Sequence, residues 1–235
     1  MERLMFCWFK KTNDKKIYSS IGVINAENEI ATPRNPVKID DIILLEKSKN
    51  WSEIIDQCIV WAAQQPSNPL PYFSSGNAHL KIDKPVAAVA MYRKAIEVSN
   101  QSENLLPSIL FPISQCWYGL GHAYFQLKER DDAENAFIQA ASIDPGVPDI
   151  WNDLGVIYLN LKPYDTGKAF DAFKKAIQID SKNVKALINI GLIYAICDIE
   201  DQVNMIYREL LPLERAEAEK FLKLAKEKLR EARAR

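Results

Sequence analysis

Apolar residues in the middle of the chain recur with the period of a helix. Trp117, Leu120, Gly121 and Tyr124 stand at i, i+3, i+4 and i+7, which places all four on one helical face that must be buried. The same four residue types at the same spacing return 34 residues later as Trp151, Leu154, Gly155 and Tyr158. Behind the first set come Ala133, Phe137, Ala140 and Pro145. Behind the second come Ala169, Phe173 and Ala176, with Ser181 in the proline's place and two extra residues around Lys162 to Gly167. Each unit therefore reads as two helices. A glycine inside a helix costs about 1 kcal/mol against alanine, so one kept at the same phase in successive helices predicts a neighbour too close for a Cβ. The alanines do the same for the second helix, and Phe137 fills the gap between them. Ile143-Asp144-Pro145-Gly146 ends that helix and turns the chain.

The phase extends outward. Upstream it finds Tyr72, Gly76, Ala88, Tyr92 and Ala95, with His79 where the pattern has tyrosine. Downstream it finds Leu187, Ile190, Gly191 and Tyr194, followed by Val203, Tyr207 and Leu210 in place of small residues. A degenerate first unit has Ile42 at the glycine position and Ile54, Cys58 and Trp61 on its second helix. A Trp-Leu-Gly-Tyr…Ala-Phe-Ala-Pro pattern of this period resembles the tetratricopeptide repeat. That resemblance implies an all-α solenoid of antiparallel helix pairs winding as a right-handed superhelix. On it, the chain divides into a degenerate repeat at 35–68, repeats at 69–102, 114–147 and 148–183, and a truncated one at 184–212.

Three segments fall outside the register. Residues 1–34 contain short apolar stretches separated by turn-rich tetrads, which suit a small β-hairpin, with a mobile arm as the competing reading. Residues 103–113 are an apolar insertion, either a longer helix with its own packing or a flap over the groove. Residues 213–235 form an amphipathic helix with Ala218, Leu222, Ala225, Leu229 and Ala232 on one stripe, the solvating cap that a solenoid needs.

Composition narrows the function. The 235 residues carry 30 basic and 31 acidic side chains, so there is no whole-molecule attraction to nucleic acid, and no stretch is long and apolar enough for membrane insertion. The start lacks the apolar core of a secretion signal. Cys7, Cys58, Cys116 and Cys197 form no CxxC pair, which favours isolated thiols and a cytoplasmic setting. Eight glycines leave no phosphate loop, and His79 and His122 both fall inside repeat helices, so the expectation is no cofactor, no metal and no enzyme.

Binding remains. In proteins resembling this one, the residues one and five places after the tryptophan position line a concave groove. Here these are Phe73 and Asn77, Tyr118 and His122, Asn152 and Val156, Ile188 and Leu192, with Leu80, Phe125, Gln126, Leu159, Asn160 and Ala195 a turn further on. Such a lining suits an extended peptide or a helix, and Phe73, Tyr118 and Phe125 exposed together would need that reason. The family's chaperone-carboxylate clamp is excluded as a ligand mode. Asn77 matches it, but Phe73 replaces a lysine, Gly119 an asparagine, and Asp149 and Asp153 the required cations. The reading is a non-catalytic adaptor whose groove takes a basic or neutral protein segment. The alternative is a structural subunit of an oligomer or larger assembly that uses the insertion, the N-terminal segment or its outer surfaces.

Overall fold

A computed structural model describes residues 39–101 and 113–234, so the readings on residues 1–34 and on nearly all of 103–113 lie outside the described residues. Every regular element among the described residues is a helix: α1 (Ile39–Ser48), α2 (Trp51–Gln64), α3 (Leu70–Lys81), α4 (Pro85–Gln101), α5 (Ile113–Leu127), α6 (Arg130–Ile143), α7 (Pro148–Asn160), α8 (Thr166–Ile179), α9 (Val184–Ile196), α10 (Glu200–Leu210) and α11 (Arg215–Arg233). The chain forms two compact units divided after Ile113.

Most packing is between helices adjacent in sequence, as in a solenoid: α1 on α2, α2 on α3 and α3 on α4 in the first unit, and α6 on α7, α7 on α8, α8 on α9 and α9 on α10 in the second. The glycine phase explains how closely they approach. A Cβ on Gly76 would lie 2.8 Å from the Tyr92 ring, one on Gly121 2.8 Å from Phe137, and one on Gly155 2.6 Å from Phe173. In each repeat an aromatic ring of the second helix therefore occupies the space of the missing side chain, flanked by the fully buried pairs Ala88/Ala95, Ala133/Ala140 and Ala169/Ala176. The degenerate repeat has no such notch. Ile42 is buried there with Ile54, Cys58, Trp61, Leu70 and Ala78, and burial pushes the Cys58 thiol up to about 12, helped by the Glu46 charge.

The turn from first to second helix repeats too. Lys49, Asp83, Lys128 and Asp198 all have φ between 56° and 62°. In each case the next amide reaches back to a carbonyl five residues earlier, as Glu129 N does to Tyr124 O at 3.0 Å, and the left-handed residue's own amide reaches three back. This is a Schellman cap without its usual glycine. After α7 the two extra residues replace it: Leu161 is extended, and Asp165 N recloses the turn on Tyr158 O at 2.8 Å. Asp165 then caps α8 through Lys168 N, and Asn183 caps α9 through Ala186 N.

The last repeat corrects two expectations. Its second helix buries Val203, Ile206 and Leu210, leaving Tyr207 half-buried. The Gly191 notch is filled from α11, because a Cβ there would lie 2.5 Å from Phe221 and 3.0 Å from Ile206. The buried stripe of α11 is accordingly Ala218, Phe221, Ala225 and Leu229, with Leu222 and Ala232 at its flank. The ring has to face the notch, so the helix turns toward Phe221. Arg233 ties the far end down, with Nε donating to Asp198 at 2.6 Å and Nη2 to Glu200 at 2.7 Å. None of the helices described is long and apolar enough to cross a membrane.

Candidate functional site

In the second unit the first helices of three successive repeats, α5, α7 and α9, are joined side chain to side chain. The centre is Asp153 on α7. Its Oδ2 accepts from the Tyr118 hydroxyl and, at 3.2 Å, from His122 Nε2, both on α5. Its Oδ1 accepts from Asn152 Nδ2 at 3.1 Å, and Asn152 Oδ1 in turn accepts from Asn189 Nδ2 of α9 at 2.9 Å. Beside this chain Lys185 of α9 pairs with Asp149 of α7 at 3.3 Å. Burial by itself would raise the Asp153 carboxyl, but the hydrogen bonds from His122 and Tyr118 and the charge of nearby Lys185 outweigh it and hold the group below the usual carboxylate range. Tyr118 moves the other way, since burial and the Asp153 charge push its hydroxyl well above the ordinary phenol value.

Rings wall the acid on the α5 side. Tyr118 meets His122 edge-on at 4.5 Å between centroids and Phe137 at 5.4 Å, and His122 meets Phe137 at 5.2 Å. Tyr118 is therefore only 7% exposed, as is Phe73 in the first unit, whose ring lies 6.1 Å from Tyr92. The expectation that these two present open aromatic surface is corrected: each has a structural partner under it. Asn152, at 3% exposed, is likewise spent on its two neighbours. Asn77 accepts the Tyr92 hydroxyl at 2.6 Å, and Asn160 donates to Val156 O of its own helix.

The surface left on α5, α7 and α9 consists of half-buried His122, Phe125 and Gln126, then Asp149, Asp153, Val156 and Leu159, then Lys185, Ile188, Asn189 and Leu192, with Asn160 exposed. Its charged residues, Asp149, Asp153 and Lys185, lie toward the N-terminal halves of α7 and α9, with Val156, Leu159, Ile188 and Leu192 beyond them. Lys185 and Asn189 were not singled out in the sequence, although a signal for them existed: they stand two before and two after Leu187, as Asp149 and Asp153 stand about Trp151.

Two further titratable candidates lie away from this face. His79 is held below its ordinary value by burial and by Lys84, and burial raises the Cys116 thiol. On another side of the repeat, Trp151 donates to Pro145 O at 3.2 Å while Lys175 Nζ lies 3.5 Å from its ring centroid.

Residues 114–147 and 148–183 each match a sequence profile of the tetratricopeptide repeat. Among curated proteins the chain is 30% identical over 128 residues to anaphase-promoting complex subunit 3 of Schizosaccharomyces pombe, covering 54% of this chain and 17% of that one. It is 28% identical over 150 residues to the RNA polymerase-associated protein CTR9 of Caenorhabditis elegans, covering 62% of this chain and 12% of that one. The chain thus spans less than a fifth of the length of either relative. Among solved structures it resembles MamA, with TM-score 0.56 and 22% identity over 85% of this chain and all of that one. It also resembles Pseudomonas aeruginosa pilF, with TM-score 0.64 and 14% identity over 83% and 86% of the two chains, and YrrB, a TPR protein described as having an unusual peptide-binding site, with TM-score 0.56 and 16% identity over 79% and 90%. At these identities the likeness is one of fold. The repeat matches and the glycine–aromatic notches identify residues 114–183 as two tetratricopeptide repeats, and the solved structures share the fold of the chain around them.

Proposed function

We propose that this protein is a non-catalytic, cytoplasmic adaptor that holds a segment of a partner protein against the shared face of α5, α7 and α9. The observation that carries this reading is the division of labour on that face. An internal hydrogen-bond chain fixes the three helices against one another, while Phe125, Val156, Leu159, Ile188 and Leu192 remain half-open beside it. A pre-organised apolar strip lowers the ordering cost of binding, and its length across three helices suits an extended peptide or a helix. YrrB, similar in fold, is described as binding peptide. Phe73 and Asn77 occupy the equivalent positions in the first unit.

A photo-crosslinking amino acid placed at Val156 or Leu192, compared with one at exposed Lys174 on α8, tests this in lysate of the source organism. The expected result is one discrete protein adduct from both face positions and none from Lys174. A second reading, a subunit of a larger assembly that uses its outer surface, is favoured by the name of the relative that is itself a complex subunit. It would be supported by an adduct from Lys174 alone.

A further inference from the structure

The charge on the proposed binding face is unusually sparse, and that permits an inference about the partner, resting on the groove reading above. Across α5, α7 and α9 the ionisable residues apart from histidine, tyrosine and cysteine are Asp149, Asp153 and Lys185. Two carboxylates therefore share one ammonium. Lys185 pairs directly with Asp149 at 3.3 Å and reaches Asp153 only through its charge, so the groups in direct contact with Asp153 are the Tyr118 hydroxyl, the Asn152 amide and the His122 imidazole. The hydroxyl and amide among them keep a carboxylate ionised without cancelling its charge.

Asp153 is not sealed away. Its side chain is 22% exposed and that of His122 beside it is 24% exposed. An ionised carboxylate can accept about four hydrogen bonds. Asp153 accepts two on Oδ2 and one on Oδ1, one fewer than that capacity. The half-buried His122 ring stands next to it, backed by the buried Tyr118 ring 4.5 Å away. Half-buried Phe125 and Val156 can take the aliphatic stem of a cationic side chain.

We propose that Asp153 is the anchor for a lysine or arginine side chain of the bound protein segment, placed at the middle of the α5–α7–α9 face with the segment's apolar residues on the strip alongside. An acidic segment is rejected by the same two aspartates. The socket differs from a carboxylate clamp in sign as well as in residues, since the charge is supplied by the protein and the cation by the partner.

Random dodecapeptides displayed on phage and selected on the immobilised full chain test this without knowledge of the natural partner. The expected outcome is an enriched family with lysine or arginine at one fixed position flanked by apolar residues. A synthetic peptide of that family should bind Asp153→Asn about ten-fold more weakly, the scale of one charge-assisted contact. It should bind Lys185→Gln more tightly, because the competing cation is gone, an effect in the direction opposite to any loss of folding. Enriched peptides with no fixed basic position, or equal binding to wild type and both variants, would overturn the socket and leave the groove reading standing. Failure to enrich any peptide would overturn both.

Discussion

At the scale of single residues the two features that organise the chain are a missing side chain and an ionised one. Gly155 is the clearest of the notches, since the Phe173 ring that a Cβ would strike is fully buried and has nowhere to move. Gly155→Ala should destabilise the protein by about 1–3 kcal/mol despite alanine's better helix propensity. Gly167→Ala, where the nearest atom is Asp165 Oδ1 at an ordinary 3.5 Å, should be neutral or slightly stabilising; urea unfolding of the pair separates close approach from propensity. Asp153 makes a prediction in pH. Its folded value is depressed relative to about 3.9 in an unfolded chain. The stability it contributes is thus fully present above that value and is lost as pH falls through the folded one. Asp153→Asn should accordingly be less stable than wild type at pH 6, with the gap narrowing below about pH 4; unfolding midpoints at pH 6 and pH 3 measure it. Asp153 was legible in the sequence as a charge at odds with the clamp. Its partners were not, because Tyr118, 35 residues away, and Asn189, which reaches it through Asn152 from 37 residues beyond that residue, meet it only when repeats stack.

At the scale of elements the sequence fared unevenly, for a physical reason. Helix pairs were readable because burial forces a period, and the notch glycines and their aromatic partners sit 16 residues apart at Gly76/Tyr92 and Gly121/Phe137. The turns between paired helices carried no such mark, since lysine and aspartate hold the left-handed position that glycine or asparagine would announce. Those residues are strained by roughly 1 kcal/mol each, which the two reverse hydrogen bonds of every cap offset. Lys128, exposed and at φ 62°, is a simple place to test this. Lys128→Asn should stabilise by about 0.5 kcal/mol and raise the melting temperature by a few degrees. Lys128→Val, β-branched at the same angle, should lower stability by more than about 1 kcal/mol. Equal melting temperatures for the three proteins would mean that the cap bonds and not the backbone angle set the turn's stability.

At the scale of the whole molecule the terminal helix changes the account of how the second unit ends. A solenoid's last repeat lacks a neighbour on one side, and a purely solvating cap would cover it with a generic amphipathic face. Here α11 instead inserts Phe221 into the Gly191 notch, the role that a ring on the second helix plays in the repeats before it. The terminal helix is therefore part of the last repeat's core, and α10, only 11 residues long, shares that work with it through Ile206. Phe221→Ala should cost about 3–5 kcal/mol, as for an aromatic ring removed from any core. Because repeats couple chiefly to their neighbours, the loss should be local. Amide hydrogen exchange should show α9 and α10 losing protection first, α7 and α8 less, and α3 and α4, which belong to the other compact unit, hardly at all. Cutting the Arg233 tether with Arg233→Ala should have a much smaller effect, since its ion pairs with Asp198 and Glu200 are exposed and worth little in water. Uniform loss of protection across both units in Phe221→Ala would mean that the chain unfolds as one cooperative body and that the stacking of repeats does not limit how far a defect spreads.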